Sequence, residues 1–453
     1  MTNVPGALVD PLAAWLPSQR WFAGRAVLAS EVRVTSAFRL TEGDPELLHL
    51  MLAVGGGREE VRYQVPVGLR DRLPDDLGPA IIGRIPDGRI AYDGLRDPAL
   101  AAALIRGIAA GRREGPLRFS TEPDVVLREP ATIRVAGGEQ SNTSIVFGDD
   151  SILKVLRRPS AGVHPDLEVP SALARHGSRL IAPPLGRIEL EPGEARRGDG
   201  AEAAEPASTV LAILSRFFPG AESAWDLATA SVARSPGDFT ERARTLGQAT
   251  ATMHAELAEA FGTSSLPARE IKSLADRMNG DLDTALTEVP ELRPYQAALR
   301  SHYAALADFG GEIMTQRIHG DYHLGQVLRT EDGWIVLDFE GEPSVPLDLR
   351  RAFGPPMRDV AGMLRSLDYA ARQHELGGMA RGRQRPGARS WTRRCQDAFR
   401  AGYASTRGSD PGERGPLLPA LMMQKAVYEA VYEARHRPDW LPIPLTAIAE
   451  GSR

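Results

Sequence analysis

The sequence predicts an α+β protein of two lobes, on three observations. The first half alternates short apolar strands with turns. The second half carries helical periodicity, and the change falls near Phe217–Pro219. At 453 residues the chain is too long for one hydrophobic core. A β-rich lobe and a helical lobe with a cleft between them satisfy all three, and such lobes are expected to close on a substrate to exclude water.

The elements follow in order. Residues 1–115 form a small α+β unit: strands EVRVTSAFRL, ELLHLMLAV and EEVRYQVPVGL, then a helix over DPALAAALIRGIAAG. Residues 116–218 are β-rich. From 131 to 157 the pattern is strand, Gly-rich turn, strand, turn, strand, and a helix is expected from about Pro165 to His176, with proline early, where it is tolerated. EPGEARRGDGAEAAEPA (191–207) reads as a polar loop before the strand STVLAILSRFF. Residues 219–453 are mainly helical, return to strands around 313–340, and are interrupted by a second polar loop at 374–390.

Composition narrows the function. A net charge of −5 gives no electrostatic reason to expect nucleic acid or an anionic membrane as partner. Cys395 is the single cysteine, which excludes an intramolecular disulfide and a cysteine-cluster metal site. No apolar run approaches membrane-spanning length, and the start, MTNVPGALVDPLAAW, lacks the basic and apolar regions of a signal peptide. A cytoplasmic protein is expected. Of 54 basic residues only Lys154, Lys272 and Lys425 are lysine. Where arginine is the default cation, a surviving lysine marks a place that needs a compact ammonium rather than a planar fork. Lys272, in the polar stretch REIKSLADR, needs no such reason.

The chemistry concentrates in IHGDYHLGQVL (318–328) and WIVLDFEGEP (334–343). Phosphoryl transfer needs a carboxylate to orient the attacking hydroxyl and oxygen ligands for Mg2+. Asp321 and Gln326 have the Asp-to-amide spacing of a kinase catalytic loop, with Gln in place of Asn. Twelve residues beyond Gln326, Asp338 ends an apolar strand, where a kinase carries its second metal ligand. A solvated turn with an edge carboxylate does not account for all three at these spacings. His319 is expected to brace this loop, and Arg358 with Asp359 to form a structural pair behind it.

The same chemistry needs a lysine on a strand, held by an acid. Lys154 lies in SILKVL with apolar neighbours, and Glu168, in PDLEVPSAL, is the expected partner. One hairpin upstream, GGEQSNTS (137–144) offers Ser141, Asn142, Thr143 and Ser144 to cover phosphates.

Four segments, HGDYHLGQVL, WIVLDFEGEP, RDVAGMLRSLDYAA and KAVYEAVYEARHRPDW, with QRWFAGR near the start, resemble the maltokinases, members of the wider aminoglycoside-phosphotransferase-like kinases. The resemblance covers essentially the whole chain. It implies a bilobed, protein-kinase-like fold with an N-terminal cap, and ATP-dependent transfer of phosphate to a sugar hydroxyl. It implies Asp321 as catalytic base, Gln326 and Asp338 as Mg2+ ligands, and Lys154 with Glu168 as phosphate clamp. The strand ending LSRFF, with Ser215 and Phe217, would carry the hinge that meets adenine.

The third segment points to the acceptor. Lys425, Tyr428 and Glu429 fall within about one helical turn, and such residues bind hydroxyls and face sugar rings. Tyr432 and Glu433 read as core contact and surface charge. Maltokinases carry an acid before the lysine, where this chain has Gln424, and leucine where it has Tyr322. The variant is similar to the actinobacterial glucosamine kinases, which form glucosamine 6-phosphate. Glucosamine is therefore the expected acceptor, and maltose the alternative. A protonated amine would need a carboxylate, which Glu429 or another pocket acid could supply. An aminoglycoside phosphotransferase and a catalytically dead kinase-like module are the remaining readings; every position required for catalysis is filled, which argues against the last.

Overall fold

The computed structural model describes residues 4–22, 27–55, 60–137, 141–192, 208–234, 238–342, 345–379, 387–408 and 415–452. The chain divides into two compact units, residues 1–171 with 182–219, and residues 172–181 with 220–453.

The first unit holds two antiparallel sheets. Helices α1 (Val4–Ala7) and α2 (Val9–Trp15) precede strands β1 (Val32–Thr41), β2 (Glu46–Val54), β3 (Val61–Arg70), β4 (Ile81–Arg84) and β5 (Ile90–Asp93), ordered β1-β2-β3-β5-β4. Strand β2 is buried along its whole length, so both its faces are covered. Its Leu48, Leu50 and Leu52 pack under α2 with Trp15 and Trp21, while Leu47 and Met51 face the other way. Helix α3 (Pro98–Ala109) starts where the Asp97 carboxylate caps the Ala99 amide, with proline at its first position.

The second sheet contains β6 (Arg113–Glu114), β7 (Leu117–Thr121), β8 (Ile133–Val135), β9 (Thr143–Phe147), β10 (Ser151–Val155), β11 (Pro184–Leu190) and β12 (Thr209–Arg216), ordered β6-β7-β11-β12-β10-β9-β8. Helix α4 (Pro165–Arg175) follows β10. One hydrophobic cluster runs from Leu40 through α3 to Leu214, so the two sheets share a core. Gln64 on β3 ties them further by donating to the Leu156 and Leu211 carbonyls.

The second unit is helical: β13 (Glu222–Ser223), α5 (Ala224–Ala233), α6 (Thr240–Phe261), β14 (Thr263–Leu266), α7 (Ala268–Glu288), α8 (Gln296–Ala307), β15 (Ile313–Gln316), β16 (Val327–Arg329), β17 (Trp334–Val336), α9 (Leu347–Arg350), α10 (Met357–Met379), α11 (Ala388–Arg407), α12 (Leu417–His436) and α13 (Pro442–Gly451). Helices α6 and α11 approach closely because each offers a glycine to the other. A Cβ on Gly247 would collide with the Phe399 carbonyl, and one on Gly402 with that of Arg244. The loop expected at 374–390 is helical at both ends, since α10 extends to Met379 and α11 starts at Ala388. Among the described residues no helix is long and apolar enough to cross a membrane.

Candidate functional site

The loop 318–326 is shaped by three constraints. Gly320 has φ +87°, a left-handed conformation that glycine adopts without steric cost. The buried Asp359 carboxylate, at the start of α10, accepts from the His319 amide at 2.8 Å and the Gly320 amide at 2.9 Å. It also meets His254 Nε2 at 3.2 Å, and these bonds hold its carboxyl below the ordinary range against the opposing effect of burial. The expected Arg358–Asp359 pair is thus corrected: Asp359 turns inward to the loop, while Arg358 reaches Glu342 at 3.4 Å.

His319 braces the loop. Its Nε2 meets the Leu337 carbonyl at 2.8 Å, and its ring packs on Tyr322 and Phe339. Tyr322 is buried with its hydroxyl 3.0 Å from Thr250 on α6. His323 Nδ1 accepts from the Gly325 amide at 3.0 Å, and burial pushes its pKa below the ordinary value, so the neutral ring caps the turn that delivers Gln326.

Gln326 and Asp338 stand together, with Gln326 Nε2 donating to Asp338 Oδ2 at 3.0 Å. The Leu337 amide donates to the Gln326 carbonyl at 2.8 Å, which fixes the two segments beside each other. Asp338 has φ +64°, a sparsely populated conformation for a residue with a side chain. Such strain concentrates at functional sites.

Helix α12 brings the acceptor candidates to this loop. Lys425 Nζ lies 3.5 Å from Asp321 Oδ1 and 5.0 Å from the centre of the Tyr428 ring. Both side chains of the ion pair keep part of their surface in solvent. Two cavities meet at Asp321, Glu342, Gly362, Lys425 and Tyr428. The smaller, about 390 Å3, extends over Asp281, Glu288, Gln424 and Arg435. The larger, about 680 Å3, is lined by Trp225, Tyr369, Glu429, Tyr432, Glu433 and Trp440. Gln424 therefore borders one cavity and Glu429 the other, whereas Lys425 and Tyr428 border both. Tyr432 and Glu433 are corrected to cavity-lining positions. Glu433 is held by the Tyr369 hydroxyl at 3.1 Å and by Arg437.

Glu429 is gripped by Arg365, whose Nε and Nη2 both donate to Oε2, at 3.0 and 2.6 Å. Among the described residues its Oε1 accepts no hydrogen bond, and the side chain, 13% exposed, lines the larger cavity. Burial pushes the Glu429 carboxyl above the ordinary range, although the Arg365 guanidinium pulls the other way.

In the first unit Lys154 sits on β10 opposite Ser144 on β9 and Ile213 on β12. Its ammonium pairs with Asp166 at 3.0 Å, an acid the sequence reading overlooked two residues before Glu168 on α4. Thr143 spends its hydroxyl on Arg157 Nε at 2.9 Å. Ser215 lies on β12 opposite Ile152, and the Phe217 amide donates to the Asp150 carbonyl at 2.9 Å. Ser141 and Asn142 are described; Gly138, Glu139 and Gln140, the centre of the expected phosphate turn, lie outside the described residues. Among the described residues no cluster of three or more His, Cys, Asp or Glu side chains suits a metal.

Residues 15–97 match the maltokinase N-terminal cap domain, and residues 132–396 match the phosphotransferase enzyme family. A glucosamine kinase of Streptacidiphilus jiangxiensis is 32% identical over 334 residues, 69% of this chain and 72% of that protein. A glucosamine kinase of Mycolicibacterium smegmatis is 27% identical over 329 residues, 68% of this chain and 77% of that protein. A solved structure of a glucosamine kinase in complex with glucosamine, ADP and inorganic phosphate shares the fold, with a TM-score of 0.69, 24% identity and 99% of each chain covered. The sequence motifs, the loop they build and these matches agree: the chain belongs to the phosphotransferase enzyme family and carries a maltokinase N-terminal cap domain ahead of the transferase region.

Proposed function

We propose that the protein phosphorylates glucosamine at its 6-hydroxyl, using ATP. Asp321 is the base that orients the acceptor hydroxyl and takes its proton, and Lys154 holds nucleotide phosphates. Maltose is the second reading, from the cap domain match. One observation carries the choice. Among the described residues Glu429 has one carboxylate oxygen that accepts no hydrogen bond, on the wall of a cavity that Asp321 also lines. A protonated 2-amino group would form an ion pair with such an oxygen, whereas maltose and N-acetylglucosamine bring only neutral donors to it. Both glucosamine kinase relatives support the same acceptor.

Mg2+ fits the donors present. The Asp338 carboxylate and the Gln326 amide oxygen are hard oxygen ligands, and one carboxylate with one amide leaves positions for water and phosphate oxygens. Bound there, Mg2+ would neutralise phosphate charge. The reaction is placed in the cytoplasm, where ATP is supplied.

The test is steady-state kinetics with ATP and Mg2+ on glucosamine, N-acetylglucosamine, glucose and maltose. Glucosamine should give the highest kcat/KM. A higher kcat/KM for maltose would move the assignment to the second reading, and no turnover of any sugar would reject both.

A further inference from the structure

Buried charge is costly unless it is paired, and α10 carries a row of it. The Arg365 side chain is 2% exposed and lines neither cavity. Its planar fork makes three hydrogen bonds to two carboxylates. Nε and Nη2 close on the same oxygen, Glu429 Oε2, and Nη1 donates to Asp368 Oδ2 at 2.8 Å. The Tyr369 ring lies 5.6 Å from the guanidinium carbon. Asp368 is itself held through Oδ1 by Arg372 Nε at 2.7 Å, and Arg372 donates to Glu450 on α13 at 2.8 Å. A ladder of alternating charge thus runs from α12 through α10 to α13.

A single cation would neutralise Glu429. Two donors on one of its oxygens do more, because they fix the rotation of the carboxylate and leave Oε1 as the oxygen available at the cavity wall. We propose that Arg365 is a positioning residue for acceptor recognition. By holding Oε2 it presents Oε1 to the acceptor, and so sets the discrimination between an amino and a hydroxyl substituent on the sugar. This rests on the amino-sugar reading above. A lysine in its place would keep the charge but lose the planar fork, so charge and orientation can be separated.

The experiment compares kcat and KM for glucosamine, glucose and ATP in the parent and four variants: Arg365→Lys, Glu429→Gln, their double, and Asp368→Asn. Arg365→Lys should lower the glucosamine-to-glucose ratio of kcat/KM by about tenfold or more, the worth of one well-aligned charged hydrogen bond. The loss should lie mainly in the glucosamine KM, with the ATP KM unchanged. Asp368→Asn leaves both bonds to Glu429 and should keep the parental ratio. The double variant should match Glu429→Gln, because Arg365 acts through Glu429. Should Arg365→Lys fail to fold, the double variant, which buries no unpaired carboxylate, carries the comparison. A double variant with a ratio below Glu429→Gln, or an Asp368→Asn ratio as low as that of Arg365→Lys, overturns the proposal. A parent with no preference for glucosamine instead overturns the acceptor reading beneath it.

Discussion

Replacing Gly362 by alanine puts the site geometry to a strict test. Gly362 lies inside α10 and borders both cavities. An ideal Cβ there would stand 2.5 Å from the Tyr322 carbonyl oxygen, well inside the 3.0 Å that real Cβ atoms keep. The obstacle is backbone, one residue past Asp321, and cannot swing aside. Helix or loop must yield by at least about 0.5 Å. A misplacement of about 1 Å costs a reaction about 10²-fold, so half of that should cost about tenfold in kcat. Helix propensity acts in the other direction and favours alanine by about 1 kcal/mol. The variant should therefore fold with near-parental stability, bind ATP normally and turn over about tenfold more slowly. Gly280→Ala is the control: it lies in α7 with nothing within 4 Å of its Cβ, and should leave kcat unchanged. Steady-state kinetics with a thermal melt reads both. A Gly362→Ala enzyme with parental kcat would show that the loop is not packed against α10 as described.

Two further predictions concern the first unit. Lys154→Arg would force a larger, planar group into the space of the ammonium paired with Asp166. Turnover should fall with every sugar; the exposed Lys272→Arg should stay within about 0.5 kcal/mol of the parent in stability and be silent in kinetics. His49 is fully buried, neither ring nitrogen has a hydrogen-bond partner among the described residues, and burial with the nearby Arg157 lowers its pKa from 6.5 to about 4. The folded state refuses a proton that the unfolded chain accepts. Its contribution is therefore intact above pH 6.5 and lost as pH falls toward 4, by about 3 kcal/mol in all. Hydrogen exchange over residues 46–70 should accelerate between pH 6.5 and 4 beyond its intrinsic pH dependence. His49→Phe should remove most of that excess, and an unchanged pH response would refute the assignment.

The catalytic segment was legible because its parts lie close in sequence. The Gln326–Asp338 contact is set by the β16–β17 hairpin, whose register pairs Val327 with Val336. Lys425 was legible through its rarity, and it does reach Asp321. What stayed hidden depends on long-range packing. Arg365 and Asp368 stand at helical i, i+3 spacing inside RDVAGMLRSLDYAA, a pattern visible in the sequence, but Arg365 reaches Glu429 across 64 residues of chain. The larger cavity joins side chains from α5, α10 and α12, and no local pattern announces that meeting. The pairing of Lys154 with Asp166, two residues before the expected Glu168, was not read because the start of a helix, and hence which of its acids meet the strand, is poorly fixed by sequence.

The central claim is that phosphate reaches the sugar through a hydroxyl oriented and deprotonated by Asp321. Glucosamine-dependent turnover of ATP by Asp321→Asn tests it most directly, with nucleotide binding and a thermal melt recorded on the same sample. Loss of a general base typically costs about 10²–10⁴-fold, and that loss is expected in kcat with ATP affinity and fold retained. An Asp321→Asn enzyme turning over at near the parental rate would contradict the account.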